Sequence, residues 1–229
     1  MSTPNNLLLL PLLQGLSRKE LLQIAGRVRF NFRNFKREDV IVRQDEACRS
    51  LLIATSGEVC VTRHSDNGDY QLSEWYPAPL AIQPESLFGW RTHYTHGVVA
   101  STDVSLLEID KDAVRDELFS YPAFRLGFLN HICYDAQRRE GMLWRENGRS
   151  LPERLCHFLL QRCQRPSGRK ELKIRKADLA THLGTSVRYV IPLLHTLQSK
   201  ELVELMRGRL CIPSLEHLVA YVAATRQKP

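Results

Sequence analysis

The sequence predicts an α+β chain in three parts: an antiparallel β barrel or sandwich, one long helix, and a C-terminal helix-turn-helix with a wing. Three observations predict it. Short β-branched runs separated by Gly and Asn turns fill residues 28–109. Apolar residues then recur at three- and four-residue steps along residues 122–146. The positive charge is concentrated behind residue 146: that segment holds 15 Lys+Arg against 6 Asp+Glu, and residues 1–146 hold 17 against 19. A basic segment joined to a near-neutral one is the electrostatic footprint of nucleic-acid binding. A basic face that serves only solubility is the plainer alternative.

The chain has 229 residues, 43% of them hydrophobic and 25% charged, which suits one large globular domain or two modest ones. Near its start stands LLLLPLL, Leu7–Leu13. It is far shorter than the roughly 20 residues of a bilayer span, Pro11 interrupts it, and no basic leader or cleavage site accompanies it. The expectation is a cytoplasmic chain with no membrane partner. Ser17-Arg18-Lys19-Glu20 then reads as a capping box, with Leu21, Leu22, Ile24 and Ala25 as the packing face of the first helix.

The strand candidates are Val28–Phe32, Val40–Val42, Leu51–Ala54, Glu58–Thr62, Tyr70–Trp75 and Val104–Ile109. Ser56-Gly57 and Asp66-Asn67-Gly68-Asp69 supply hairpin turns, because Gly and Asn tolerate positive φ. Eight or so strands at this spacing suggest a small antiparallel barrel or sandwich. Helix returns after Asp110, and Pro122 suits a helical first turn. A helix of about 25 residues has few ways to bury its stripe inside a small domain. Phe128, Leu129, Ile132, Ala136 and Leu143 are therefore assigned to pairing with a two-fold mate, with packing on the barrel as the alternative.

Asn147-Gly148 can end that helix, and Ser150-Leu151-Pro152-Glu153 starts another with a second capping box. The predicted organisation is an N-terminal sensing domain over 1–110, a connecting and dimerisation helix over 111–148, and a helix-turn-helix domain over 149–229. Gln164–Lys170 reads as a solvent loop. Lys176–Leu183 forms the first helix of the motif, Gly184 the sharp turn, and Ser186 the cap of a second helix packed through Val190, Leu193, Leu194 and Leu197. Arg207-Gly208-Arg209 forms the tip of a hairpin wing whose cations would lie against phosphates. Pro192 stands inside the second helix, a fault worth roughly 3 kcal/mol in a helix interior.

No catalytic signature is present: no Gly-rich phosphate loop, GxSxG, HExxH or tellingly spaced carboxylates, so the chain is not expected to be an enzyme. The six cysteines, Cys48, Cys60, Cys133, Cys156, Cys163 and Cys211, include no CxxC pair. They read as buried thiols rather than metal ligands, with Cys48 and Cys60 the candidates for any redox role.

Taken in order, these pieces resemble the Crp/Fnr family of bacterial transcription regulators over nearly the whole chain. LLLLPLLQGLSRKELLQIA looks like the N-terminal helices, FKREDVIVRQDEACRSLLIATSGEVCV like the first strands of the effector β-roll, and Lys176–Ile212 like the winged helix-turn-helix. Ser186-x-Arg188 followed by an aromatic is similar to the YeiL-like branch. The resemblance implies a cyclic-nucleotide-binding-domain-like β-roll, a dimerisation helix and a winged helix, acting as a homodimer on a pseudo-palindromic duplex, with RNA polymerase as a further partner.

It also implies the base-facing positions of the second helix, Val187, Arg188 and Pro192. An arginine at a helix front can bond guanine O6 and N7 together, worth about 1–3 kcal/mol of discrimination. Val187 would meet a thymine methyl and Tyr189 a phosphate, or both simply pack. Thr185, Ser186, Lys176, Arg207 and Arg209 complete the expected DNA face. Pro192 departs from the family, which places a base-reading or polar side chain there. Either its ring packs on a base methyl, or reading ends after one turn and the motif is degenerate. The second possibility would leave a ligand-sensing or interaction module that does not bind DNA.

Cyclic-nucleotide-binding relatives hold the ribose with Gly-Glu and the phosphate with Arg-Ser/Thr. Here Gln83-Pro84 and Tyr94-Thr95 occupy those places, so a cyclic phosphate lacks a charge partner unless Arg91 swings in. Haem has only His93, His96 and His64 as candidates, and neither ligand is favoured. No cofactor is expected, and the effector is an unidentified small molecule or none. Its pocket would be lined by Gln83, Glu85, Leu87, Phe88, Trp90, Arg91, Tyr94 and Thr95, with Trp75.

Overall fold

The Ser17 hydroxyl accepts the Glu20 N–H, and the Glu20 carboxylate accepts the Ser17 N–H at 2.7 Å, so the expected reciprocal cap opens α1, Arg18–Arg27. Val28 closes that helix by donating its N–H to the Ile24 carbonyl, which is why no strand begins there. The computed structural model describes residues 12–13, 15–144 and 150–226, with the side chains of Leu143 and Arg226 left outside. Leu7–Pro11 and the Asn147-Gly148 turn lie outside the described residues.

Eight strands follow: β1 Asn31–Phe35, β2 Val40–Val42, β3 Ser50–Ser56, β4 Glu58–His64, β5 Tyr70–Pro77, β6 Leu80–Ile82, β7 Gly97–Ala100 and β8 Val104–Asp110. The chain divides into two units, one of residues 1–61 and 76–138, the other of 62–75 and 139–229. The tip of the β4–β5 hairpin therefore belongs with the C-terminal residues, a grouping that linear boundaries at 110 and 148 cannot express.

In the first unit the antiparallel sheet runs β1-β8-β3-β6, and β2 pairs with β7. Inward residues alternate along β4, where Val59 and Val61 are buried, whereas Leu51–Ala54 of β3 and Leu106 and Leu107 of β8 are buried consecutively. After α2, Lys111–Asp116, the long helix α3 runs Pro122–Leu143. Its Phe124 and Phe128 are buried among Phe88 and Phe119, with ring centroids 5.3–6.2 Å apart, and Ile132 packs on the same core. The assignment of Phe128 to a two-fold interface is thus corrected: i,i+4 spacing from Phe124 turns it onto the roll, with Ile132 half-buried beside it. A different stripe, Leu126, Leu129, Cys133 and Ala136, faces outward, with Leu126 and Leu129 more than half exposed.

In the second unit α4, Leu151–Arg162, starts at the expected Ser150–Glu153 capping box. Then come β9 Lys170–Ile174, α5 Lys176–His182, α6 Val187–Ser199, β10 Glu204–Met206, β11 Arg209–Ile212 and α7 Leu215–Arg226. The sheet of this unit runs β10-β11-β9 and continues into the hairpin tip through β5. Five antiparallel pairs join β5 to β9, from Tyr70↔Ile174 to Glu74↔Lys170, with Leu72 opposite Leu172 and both fully buried.

The end of that ladder is charged. Glu74 and Lys170 are both wholly buried, and Lys170 Nζ donates to the Glu74 carboxylate at 2.9 Å and to the Ser167 carbonyl at 2.7 Å. Arg63, from β4, and the Gln164 backbone N–H also donate to Glu74. Gln164–Lys170 is therefore not a plain solvent loop, because its two ends are pinned around one carboxylate. Removing one member of a buried ion cluster strands the others in low dielectric. We expect Glu74→Ala to cost about 3–5 kcal/mol in urea unfolding. The double variant Glu74→Leu/Lys170→Met should cost clearly less than Glu74→Ala alone.

Candidate nucleic-acid interface

The interface candidates stand on α5, the turn after it, α6 and the β10–β11 wing. Leu179 and Ala180 bury one side of α5, and Gly184 ends it with φ +60, a conformation that strains any side chain. The turn is tied twice more: Thr185 N–H bonds the Ala180 carbonyl at 2.9 Å, and Arg154 Nη1 from α4 donates to the carbonyls of Leu183 at 2.8 Å and Gly184 at 3.2 Å. Val190, Leu194 and Leu197 then fix α6 onto the core. The face opposite them is left to solvent.

On that face Ser186, Arg188, Tyr189 and Pro192 are exposed, and Thr185 and Val187 are half-buried. Lys176, at the head of α5, is exposed as well, and so are Arg207 and Arg209 on either side of Gly208, which turns the wing at φ +70. The structure thus brings the sequence-assigned DNA residues into one unit and leaves them accessible. One detail is corrected: Ser186 has the extended backbone of a cap, but its side chain makes no capping hydrogen bond. Its hydroxyl therefore stays available to another partner.

The cations differ in readiness. Arg188 lies over the Tyr189 ring, 4.7 Å from its centroid, and Nη2 donates to the Tyr189 hydroxyl at 3.0 Å. Arg209 stands 3.5 Å from Glu171, whereas Lys176 and Arg207 have no ion-pair partner among the described residues. Lys173 and Arg175 extend the row, with Arg175 held by Asp178 at 2.6 Å. These two were missed by sequence reading, although the alternation Lys173–Ile174–Arg175 on the strand entering α5 was a usable signal.

Pro192 is the sixth residue of α6 and is exposed. With no N–H it leaves the Arg188 carbonyl without its usual helical donor, next to the residue assigned to reading. The helix nevertheless continues through the fault to Ser199, and Thr196 Oγ1 donates to the Pro192 carbonyl at 2.9 Å.

The effector residues of the first unit do not converge as the sequence suggested. Trp90 is fully exposed, and Arg91 is an exposed partner of Asp45 at 2.9 Å rather than an inward charge. Leu87 is core, and Phe88 sits in the aromatic cluster below α3. Trp75 lies in the second unit, 4.2 Å from the Arg169 guanidinium. Gln83 does bind within the cassette: its Oε1 accepts the Thr95 N–H and hydroxyl at 2.9 Å, and its Nε2 donates to the His96 carbonyl at 2.8 Å. Tyr94 is buried and paired with Cys48, and burial pushes both of their pKa values up, so each stays neutral. That argues against Cys48 as a reactive thiol. Both carboxylate oxygens of Glu85 and the Ser86 hydroxyl are enclosed without a hydrogen-bond partner. His93 is exposed and His96 buried, 2.8 Å from the Thr95 hydroxyl.

Two family models match. A cyclic nucleotide-binding domain covers residues 32–121, and a Crp-like helix-turn-helix domain covers residues 153–221. No curated protein matches the sequence. Among solved structures, the catabolite activator protein of Thermus thermophilus is 21% identical, with 93% of this chain and 99% of that one covered at a TM-score of 0.51. DNR from Pseudomonas aeruginosa is 18% identical over 94% and 95% of the two chains, at a TM-score of 0.45. FixK2 from Bradyrhizobium japonicum is 14% identical over 84% and 97%, at 0.47. The first of these shows the same fold: an antiparallel roll, a long helix and a C-terminal helix-turn-helix.

Replacing Pro192 by Ala restores a helical donor at an exposed site. It is expected to raise the stability of the chain by up to about 3 kcal/mol in urea unfolding.

Proposed function

Because the chain belongs to the Crp/Fnr family of transcription regulators, we propose that it acts as a cytoplasmic homodimer reading a two-fold-related DNA sequence, with RNA polymerase as a further partner. The carrying observation is the accessible face of α6, with Ser186, Arg188, Tyr189 and Pro192 in solvent and the unpaired cations Lys176 and Arg207 beside it. The cations neutralise phosphates, and Arg188 supplies the base contact once it leaves the Tyr189 ring. No helix among the described residues is long and apolar enough to cross a membrane.

The dimer rests on α3. Leu126, Leu129, Cys133 and Ala136 are spaced by three, four and three residues, the pattern of a coiled-coil seam, and all four face outward. Leu143, also assigned to this contact, has its side chain outside the described residues.

The effector is not cyclic AMP in this reading. Gln83 fills the place of the ribose-binding pair and already uses the Thr95 donors, and no guanidinium enters the cassette. A cyclic phosphate would find no cationic partner there, since Arg91 is turned outward to Asp45. A second reading, a sensing module that has lost DNA binding, draws on Pro192 and on the Arg188–Tyr189 contact.

Selection of duplexes by the purified protein separates the two. The expected outcome is a two-fold-related motif whose outer positions blur in Arg188→Ala, with log affinity falling by about 0.9 per log unit of salt for each phosphate neutralised. No duplex affinity at low salt would sink the first reading. Leu129→Glu is expected to give a monomer in sedimentation, with at least about tenfold weaker binding to the selected duplex, since a charge at a seam position opposes its own copy.

A further inference from the structure

A cavity of about 410 Å3 opens in the C-terminal unit between α4 and the end of α5. Arg154, Phe158, Gln161, Arg162, His182 and Gly184 are among its lining residues, which bring two guanidinium groups and no carboxylate. Its size is in the range of small-molecule sites.

Both arginines are held in place from one side. Arg162 lies on the Phe158 ring, 3.9 Å from the centroid, with Nε donating to the Tyr70 hydroxyl at 2.7 Å and Nη1 to the Phe158 carbonyl at 3.1 Å. Arg154 is fixed through Nη1 on the Leu183 and Gly184 carbonyls. Among the described residues the Nη2 of neither arginine bonds to protein. Arg154 Nε and His182 Nε2 are enclosed with no acceptor, although Asp69 stands 3.9 Å from the imidazole. Fixed guanidinium edges without an acid partner are a ready anion site, because the ordering cost is met before the ligand arrives.

Arg154 and Arg162 stand about two turns apart on α4 and are anchored independently, so the cavity wall offers two separate guanidinium edges and suits an anion with more than one charged group. We propose that this cavity binds a diffusible small molecule carrying two or more linked phosphate groups. The Leu183-Gly184 turn that leads into α6 forms part of its wall, so occupancy steadies the turn on which base reading depends. The same guanidinium chemistry could serve a duplex phosphate, and the test separates the two sources.

Titration calorimetry of the full chain with inorganic pyrophosphate, at constant ionic strength and without DNA, is the first arm. Saturable binding of one pyrophosphate per chain is expected. It should weaken about tenfold in Arg162→Gln and also in Gln161→Glu, an exposed lining position where an added carboxylate leaves the packing alone, and stay unchanged in Arg188→Ala. No saturable heat, or equal affinity in wild type and Gln161→Glu, overturns the proposal. The second arm measures duplex affinity of the same variants. If Gln161→Glu and Arg162→Gln weaken duplex binding while pyrophosphate gives no heat, the arginines serve the DNA backbone; the proposal then fails and the DNA-binding reading stands.

Discussion

The second unit depends on one carboxylate. Glu74 sits at the end of the β5–β9 ladder with no access to water and collects a lysine, an arginine and a backbone N–H. An ion removed from water to that degree is tolerable only when its acceptor sites are filled, so these four groups must arrive together. Their convergence fixes the register that places Leu72 against Leu172, and those two begin the core on which α4, α5 and α6 pack. The helix-turn-helix geometry is thus secured by a strand that lies about a hundred residues earlier in the sequence.

On that base, functional groups are arranged by what the core leaves over. Burial of Val190, Leu194 and Leu197 uses one side of α6, and its other side presents Arg188, Tyr189 and Pro192 by default. The long helix works in the same manner with both of its faces. Phe124 and Phe128 are spent on the roll, and the Leu126–Leu129–Cys133–Ala136 row is left exposed. One helix thereby carries two apolar stripes, a situation that simple periodicity cannot resolve, because residues three and four apart occur on each.

That ambiguity explains which parts of the molecule were legible in the sequence. Capping boxes at Ser17 and Ser150, the Gly184 turn, the wing and the strand-rich middle follow from local chemistry and emerged where expected. The exposure of Arg188, Tyr189, Arg207 and Arg209 was legible for the same reason, since a helix front and a hairpin tip are local features. Phe128, Trp75 and Trp90 were misassigned because an aromatic gives no sign of which surface it will meet. Gln164–Lys170 looked like a loop from its Pro, Ser and Gly, and nothing nearby announced that Lys170 answers a glutamate at position 74. Ser186 had the right type and backbone for a cap, yet its hydroxyl bond is absent, a choice made by tertiary context rather than by preference.

The segmentation of the chain has an evolutionary consequence. Because residues 62–75 belong to the same unit as 139–229, the helix-turn-helix unit cannot be transplanted whole by a single crossover in the long helix. A recombinant joined there would pair β9 with a foreign hairpin, and without Leu72 and Glu74 it would leave Leu172 and the buried Lys170 without their partners. An exchange that keeps the core of this unit intact must therefore carry the hairpin along.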